Sequence, residues 1–421
     1  MSNQSVNKTS LIKYALFGFT IAFGSLPIYL HSPEFYSSEF QISITQIGFT
    51  LLVLRLIDAF QDPLIGYLSD MYSKLRSLII ILGIVIMSIG FFMLFNPITS
   101  PNIIWFGSSV FIASTGFSIA AINYQAVGGL WKSSSTDKTT ITSWREAFAL
   151  IGILTASALP ALLGSQENAQ EAFRNLVFIF IPIMIITSIV FYKTTQNIPL
   201  VKPKHKSIKT LFKNIQRWDY QFLTLFFINN LASSIPAVLV IFFINDRICA
   251  EGMTGLFLIL YFLSGALCMP LWNQLAKKLS KFYAWSLSIL LASITFIWAG
   301  FLSLGDINAY AIVCVLSGIA LGADLSIPPS ILADRIKSSK IEGLTSIYFS
   351  SLTFLSKFAL ALATGITLPL LGFWGYEPGN ITNYEVTEYL SYTYAFIPSV
   401  IKLLVGITLF SLVKNRVDWR Y

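Results

Sequence analysis

Three charged side chains occur within one apolar stretch, residues 54–63, which reads LRLIDAFQDP. On a helix with about 100° per residue, Asp58 and Asp62 are about 40° apart, and Arg55 lies within about 60° of Asp58. All three therefore share one face. Two carboxylates one turn apart repel each other in a low dielectric, so they need an arginine, a proton or a bound cation. The pattern predicts oxygen-ligand chemistry for a proton or Na⁺, with Na⁺ at Asp58 and Asp62. The alternative is a static Arg55–Asp58 charge pair.

Four further charges fall in or at the edge of apolar stretches, where ionisable residues are costly and are candidates for function. Asp324 precedes two prolines in GADLSIPP, and interrupted helices at mid-membrane tend to line cavities. Lys357 requires an acid or a hydrogen-bonding substrate. Arg145 can anchor its helix at the membrane interface or bind the substrate. Asp324 can also be the paired acid of a kinked helix, and Lys402 can snorkel from an outer helix, so these alternatives stay open.

The composition identifies the elements that must position these residues. The chain has 421 residues, of which 55% are hydrophobic and 11% are charged, and its mean hydropathy is +0.70. Soluble domains have about 25% charged residues. Twelve membrane-spanning helices would use roughly 250 residues and leave no room for a soluble domain. The continuous apolar runs exclude the alternating pattern of a β-barrel. We therefore predict an all-α membrane protein with twelve transmembrane helices. The predicted spans are 11–31, 44–68, 77–95, 102–130, 144–164, 174–193, 219–244, 252–275, 282–303, 308–333, 344–371 and 391–413.

The net charge of +8 is distributed asymmetrically over the predicted loops. Basic residues such as Lys132 and Lys138 fall in the even-numbered loops and both tails, whereas acids such as Glu39 and Glu171 fall in the odd-numbered loops. This asymmetry follows the positive-inside rule. We predict a multi-pass protein of the plasma membrane, or inner membrane in a bacterium, with both termini cytoplasmic and with no nucleic-acid partner.

The chain divides at a break rich in lysine and proline. The predicted domains are a six-helix bundle at 1–195, a cytoplasmic basic linker at 196–218 and a second six-helix bundle at 219–421. Short echoes support a duplication. The segment DPLIGYLSD of residues 62–70 matches MPLWNQLAK of residues 269–277, at an offset of 207 residues. The two histidines and the scattered cysteines are too few for a catalytic or metal cluster, so we predict no enzyme activity and no resident cofactor.

A glycine and an acid follow the second span in GYLSDMYSKLR. This segment resembles the Gly-x-x-x-Asp and basic-residue loop of the major facilitator superfamily. The absence of a side chain at Gly66 permits a close helix approach, and Asp70 can cap or pair with a neighbouring helix when the cytoplasmic side closes. We assign a cytoplasmic gating loop, and the alternative is an ordinary positive-inside loop. Its residues are Gly66, Asp70, Lys74 and Arg76.

Residues 55–70 resemble the signature of the glycoside–pentoside–hexuronide:cation symporter family, whose members include melibiose-permease-like proteins. The pattern is Arg-x-x-Asp-Ala-x-x-Asp-Pro-x-x-Gly-x-x-x-Asp, and the span layout agrees over essentially the whole chain. The resemblance implies a major facilitator fold. It also implies a Na⁺ or proton site at Asp58, Asp62 and Ser118, with Gln61 where relatives often have asparagine. The family's helix-5 arginine matches Arg145, and its helix-11 lysine matches Lys357.

The sugar side of the site departs from melibiose-type members. Their helix-1 acid is absent from the segment GSLP of residues 24–27, and their helix-4 aspartate and tryptophan align with Ala121 and Gln125. Tyr29, Asn123, Tyr124 and Gln125 still supply polar groups. The resemblance therefore implies cation-coupled symport of a sugar or sugar-like small molecule by alternating access, carried out by a monomer in the lipid bilayer. The alternative is a non-sugar solute such as a lysolipid or an amphipathic metabolite.

Overall fold

The structure is a computed structural model that describes residues 7–98, 100–165, 167–201, 216–250, 252–339, 341–376 and 384–415. For residues 44, 45, 161 and 384–387 it describes the backbone only. The predicted linker at 196–218 falls largely outside the described residues.

Twelve helices of at least 19 residues occur in the described part of the chain, in the order predicted for the twelve spans. Apart from one isolated β-bridge between Trp131 and Leu200, the regular structure of these residues is helical. The helices are α1 (Lys8–Tyr29), α2 (Ile44–Met71), α3 (Arg76–Phe95), α4 (Ile103–Leu130), α5 (Ser135–Leu162), α6 (Ala169–Asn197), α7 (Arg217–Phe242), α8 (Thr254–Lys278), α9 (Lys281–Gly300), α10 (Ile307–Ser338), α11 (Thr345–Phe373) and α12 (Ile397–Asn415).

Ten helical segments of the described chain are long and apolar enough to cross a membrane. The other two long helices are α2 and α5, at 28 residues each. They carry Asp58, Asp62 and Arg145, and charged residues lower the hydropathy of a helix. The two helices that look least like membrane spans therefore hold both acids of the predicted cation site and the candidate Arg145, as expected where intramembrane charges are functional.

Short helical pieces extend the predicted pattern. The polar segment His31–Phe40 forms a helix of its own after α1, and its Phe35 and Tyr36 are buried in the core. Tyr36 donates a hydrogen bond to the Leu94 carbonyl at 2.8 Å. π-helical turns at Phe243–Ile248 and Tyr392–Phe396 follow α7 and precede α12. The predicted spans at 11–31 and 44–68 leave residues 32–43 between them, and most of this segment is helical.

The Cα positions divide the chain into two compact units. The first unit comprises Met1–Asn214 with Leu332–Phe354, and the second comprises Ile215–Ile331 with Leu355–Tyr421. The segment Leu332–Phe354, which lies in the predicted second bundle, thus clusters with the first unit. Among its contacts there, Lys138 donates to the Ala333 carbonyl at 2.7 Å.

Each unit has its own apolar core. In the first unit, α3 and α4 approach closely because glycines line their contact: a Cβ at Gly83 would lie 2.8 Å from the backbone nitrogen of Ala120. Small residues permit this approach between membrane helices. In the second unit, Tyr310, Phe243 and Tyr394 form an aromatic cluster, with the last two rings stacked 4.0 Å apart. These cores fix the helices that carry the candidate sites.

Candidate functional site

The acid pair of α2 lies in the interior of the first unit. The exposed fraction of Asp58 is 4% and that of Asp62 is 0%. The Oδ1 atom of Asp58 accepts hydrogen bonds from Ser118 Oγ and from Gln61 Nε2, both at 2.9 Å. Ser118 lies on α4, so the hydroxyl implied by the family resemblance reaches the acid from a neighbouring helix. The structure brings together Asp58, Gln61 and Ser118.

The side chains around these acids supply hydroxyl oxygens and one amide group as possible ligands of a cation. Gln61 presents its Nε2 to Asp58, and its Oε1 accepts a bond of 3.4 Å from Thr115 on α4. An amide assigned this way can be reversed without moving its carbon atoms. Two carboxylates, one hydroxyl and one amide oxygen are the ligand types that hard cations prefer. The residues present therefore fit either Na⁺ or a proton.

Arg55 has a partner on α1. Its Cζ atom lies 5.1 Å from the centroid of the Tyr29 ring, which is within the range of a cation–π contact. The structure thus brings Arg55 and Tyr29 together one turn away from the acid pair, and the charge of Arg55 is stabilised by an aromatic face.

Of the polar residues on α4, Asn123 and Tyr124 bond to neighbouring helices, whereas Gln125 is half-buried. Asn123 donates to Ser69 Oγ on α2 at 2.8 Å and has an exposed fraction of 0%. Tyr124 and Tyr14 each donate their hydroxyl to the other's backbone carbonyl, at 3.0 and 3.1 Å. These contacts hold α4 against α2 and α1. Gln125 is half-buried, and its side chain remains a substrate candidate.

Arg145 is buried on α5 beside an acid that sequence reasoning missed. Its Nη2 atom lies 2.6 Å from Glu146 Oε1, and its Nε atom donates to the same oxygen at 2.8 Å. The side chain of Arg145 is 3% exposed and that of Glu146 is 19% exposed. A buried guanidinium needs such a counter-charge. The adjacent Arg-Glu pair in the sequence was the available signal.

Two residues of the gating loop, Asp70 and Arg76, form hydrogen bonds with the first turn of α11. Asp70 accepts bonds from the backbone N–H groups of Ser346 and Ile347, both at 2.9 Å. These N–H groups lie in the first turn of the helix and have no partner within it. A carboxylate near a helix N-terminus is stabilising because it accepts such bonds and offsets the helix dipole. Arg76 bonds Asp70 at 3.1 Å and donates to Ser346 Oγ at 2.6 Å. A Cβ at Gly66 would lie 2.8 Å from the Ser346 carbonyl oxygen, so only glycine permits this approach.

Lys74 does not join this group. It lies in the 3₁₀ turn Ser73–Leu75 and is exposed. An exposed lysine at this position is compatible with the alternative of an ordinary positive-inside residue.

The acid of α10 has a lysine partner in the second unit. Asp324 Oδ2 lies 3.2 Å from Lys402 Nζ on α12, and Asp324 Oδ1 accepts a bond from Trp285 Nε1 at 2.8 Å. Lys402 also donates to Asn229 Oδ1 on α7 at 2.9 Å. At 2% exposure, Lys402 does not snorkel to the membrane surface.

Sequence reasoning located both charges but not their pairing. It also missed Asn229 and Trp285, which are polar or aromatic residues in long apolar runs and gave no separate signal. Lys357 lies half-buried on α11 in the second unit, and its predicted pairing with an acid of α2 stays a prediction.

The family model described as MFS/sugar transport protein matches residues 11–413. The chain belongs to this family. The match confirms the resemblance seen in the α2 signature and the twelve-helix layout. Because members of the family are transporters, this MFS/sugar transport protein is a membrane carrier and not an enzyme.

Individual proteins extend the comparison of this MFS/sugar transport protein. It is 23% identical over 394 residues to the isoprimeverose transporter of Lactiplantibacillus pentosus, covering 87% of this chain and 80% of the relative. It is 27% identical over 155 residues to the human (Homo sapiens) sodium-dependent lysophosphatidylcholine symporter 1, covering 36% of this chain and 28% of that protein. The solved structure of the major facilitator superfamily transporter FucP superposes with a TM-score of 0.67 and 16% identity, covering 97% of this chain and 99% of that one. That likeness shows the fold.

Proposed function

We propose that this protein is a cation-coupled symporter that carries a sugar or sugar-like solute, with Na⁺ or a proton bound at the α2 acids. The observation that carries the proposal is the buried Asp58, which accepts hydrogen bonds from Gln61 and from Ser118 of α4, one helical turn from the fully buried Asp62. Two buried carboxylates so close together repel each other, so binding of a cation that neutralises their charge is strongly favoured.

The two acids have different parts in the proposal. Asp58 is the acid fixed to α4, because Ser118 and Gln61 orient its Oδ1. Asp62 is the acid whose charge the coupling ion neutralises, since its exposed fraction of 0% is the lower of the two. A proton needs one of these carboxylates, whereas Na⁺ draws on both acids with the hydroxyl and a reversed Gln61 amide.

The Asp70 contacts supply a cytoplasmic gate for the transport cycle. Alternating access requires an element that is closed in one state and open in the other. Asp70 and Arg76 hold Ser346 and Ile347 by hydrogen bonds rather than by apolar burial. Such bonds can break and re-form because water replaces the lost partners at the membrane surface.

Orientation and partners follow from the charge distribution. Two basic residues of the predicted cytoplasmic loops, Lys74 and Lys132, are exposed near helix ends. The proposal places both termini in the cytoplasm, in the inner membrane of a bacterium, with the protein acting as a monomer on a small-molecule substrate and with no cofactor beyond the coupling ion.

The second candidate is a lysolipid carrier. It is favoured by the match to the sodium-dependent lysophosphatidylcholine symporter, which extends over 155 residues. The match to the isoprimeverose transporter extends over 394 residues and covers both halves of the chain. Because a sugar carrier is matched over the greater length, we rank a sugar first and keep the lipid as an outcome of the test.

The proposal is tested by uptake into sealed proteoliposomes. We expect isoprimeverose or a neutral monosaccharide to accumulate above its outside concentration when an inward Na⁺ or proton gradient is imposed. Without a gradient, the same solute should only equilibrate. Protein-free liposomes and liposomes treated with an ionophore that collapses the gradient are the controls.

Two results would overturn the proposal. One is sugar entry at the same rate and extent with and without either gradient, which would indicate a uniporter. The other is uptake of lysophosphatidylcholine, supplied on albumin, with no uptake of any sugar in the panel.

A further inference from the structure

A cavity of about 220 Å³ lies inside the second unit, apart from the acid pair of α2. Residues from α7, α8, α9, α10, α12 and the turn Tyr392–Phe396 line it. At a liquid-water share of about 30 Å³ per molecule, it has room for about seven waters. Pockets that hold drug-sized ligands measure about 300–1,000 Å³, so this one suits a smaller solute.

One end of the cavity is polar and carries both signs of charge. Lys402 and Asp324 line it as an ion pair, and Asn229 accepts a hydrogen bond from the same ammonium group. Lysine supplies only donors and an ionised aspartate only acceptors. The pair therefore offers both functions to a ligand and has no net charge.

The remaining wall is mostly apolar, with both aliphatic and aromatic side chains, and it includes a few polar residues such as Ser317. Tyr261, Phe296, Tyr310 and Tyr394 line the cavity, and the hydroxyls of Tyr310 and Tyr394 are hydrogen-bonded to each other at 2.8 Å. That bond uses one hydroxyl proton and one oxygen lone pair, and the rings themselves add apolar surface to the wall. Binding sites of this kind combine apolar walls with a few convergent polar groups.

We propose that this cavity binds one neutral monosaccharide ring, either as the free sugar or as one unit of a glycoside. The inference rests on the proposed function and names the substrate class and its place. A pyranose ring has hydroxyls that both donate and accept, which match Lys402 and Asp324. It also has a C–H face that packs on aromatic rings.

The charge balance of the cavity selects against acidic sugars. A uronate carboxylate would have to draw Lys402 away from Asp324, which would leave a buried carboxylate without its counter-charge. Breaking a buried ion pair in this way is strongly unfavourable. A neutral sugar can bond both partners while the pair stays intact.

The native cysteines provide a direct test. Cys314 lines the cavity, whereas Cys249 and Cys268 do not, and these three are all the cysteines of the chain. In detergent, with Cys249 and Cys268 replaced by serine, a small methanethiosulfonate reagent should modify Cys314. We expect at least one of D-xylose, D-glucose, D-galactose, D-mannose or L-fucose to slow that modification severalfold. D-glucuronate and D-galacturonate at the same concentration should leave the rate unchanged.

Cavity-filling variants give the second readout, which is equilibrium binding of the protecting sugar. Cys314→Phe should reduce its affinity at least tenfold, whereas the matched Cys268→Phe outside the cavity should leave it within about twofold. If Cys314→Phe does not fold, the labelling result decides alone.

The inference is wrong if no sugar of the panel protects Cys314, if uronates protect it best, or if Cys314→Phe binds sugar as the parent does. Neither assay imposes an ion gradient. Gradient-driven sugar uptake together with an unprotected Cys314 would therefore refute this site and leave the proposed function standing.

Discussion

Asp62→Asn should abolish accumulation of the solute against its gradient while leaving exchange of solute across the membrane measurable. The side chain is fully buried one turn from Asp58, and asparagine keeps its size while removing the charge. The variant can no longer take up and release a cation at this position, so the ion gradient no longer drives accumulation of the solute. Downhill exchange needs only the substrate site and the conformational change.

The measurement compares gradient-driven uptake with counterflow in the same proteoliposomes. Asp137→Asn is the matched control, because Asp137 lies in the first turn of α5 and bonds only local groups such as Ser134. It should accumulate solute as the parent does. Concentrative uptake by Asp62→Asn would show that another group couples the ion.

Lys402→Met should destabilise the protein strongly, by about 3–5 kcal/mol, because it leaves the carboxylate of Asp324 without its counter-charge in the interior. Trp285 would remain as a partner of that acid. The double variant Lys402→Met with Asp324→Asn should recover most of the loss, since it removes both charges together.

Thermal unfolding of the purified protein in detergent measures this effect. The matched control is Lys414→Met, a change of the same kind at the exposed end of the same helix, where an ion pair is worth little. It should shift the unfolding temperature hardly at all. If the double variant is as unstable as the sum of its single variants, the ion pair is not the source of the loss.

The fold could be predicted because the information is local. Helix length, apolar runs and loop charge depend on neighbours in the sequence, and they gave the order of the twelve helices. The shared face of Asp58 and Asp62 follows from helix geometry alone. The two helices rich in charge, α2 and α5, were also predicted as apolar spans, at 44–68 and 144–164.

Contacts between distant helices could not be predicted in the same way. Lys402 and Asp324 are 78 residues apart, and nothing local indicates which lysine meets which acid. Tyr124 and Asn123 were assigned to substrate because they are polar, whereas the structure gives them partners on α1 and α2. Their roles depend on the face of α4 that meets its neighbours, and an apolar run does not specify that face.

The central claim is that solute and cation cross together, and the most direct test is to let the solute drive the ion. Coupling free energy is reciprocal, so a sugar gradient must move the cation if a cation gradient moves the sugar. Proteoliposomes with equal ion concentrations on both sides, loaded with a pH-sensitive or Na⁺-sensitive dye, receive the transported sugar outside. The account predicts an inward movement of protons or Na⁺ with the sugar, absent in Asp62→Asn. Sugar entry with no movement of either ion would contradict it.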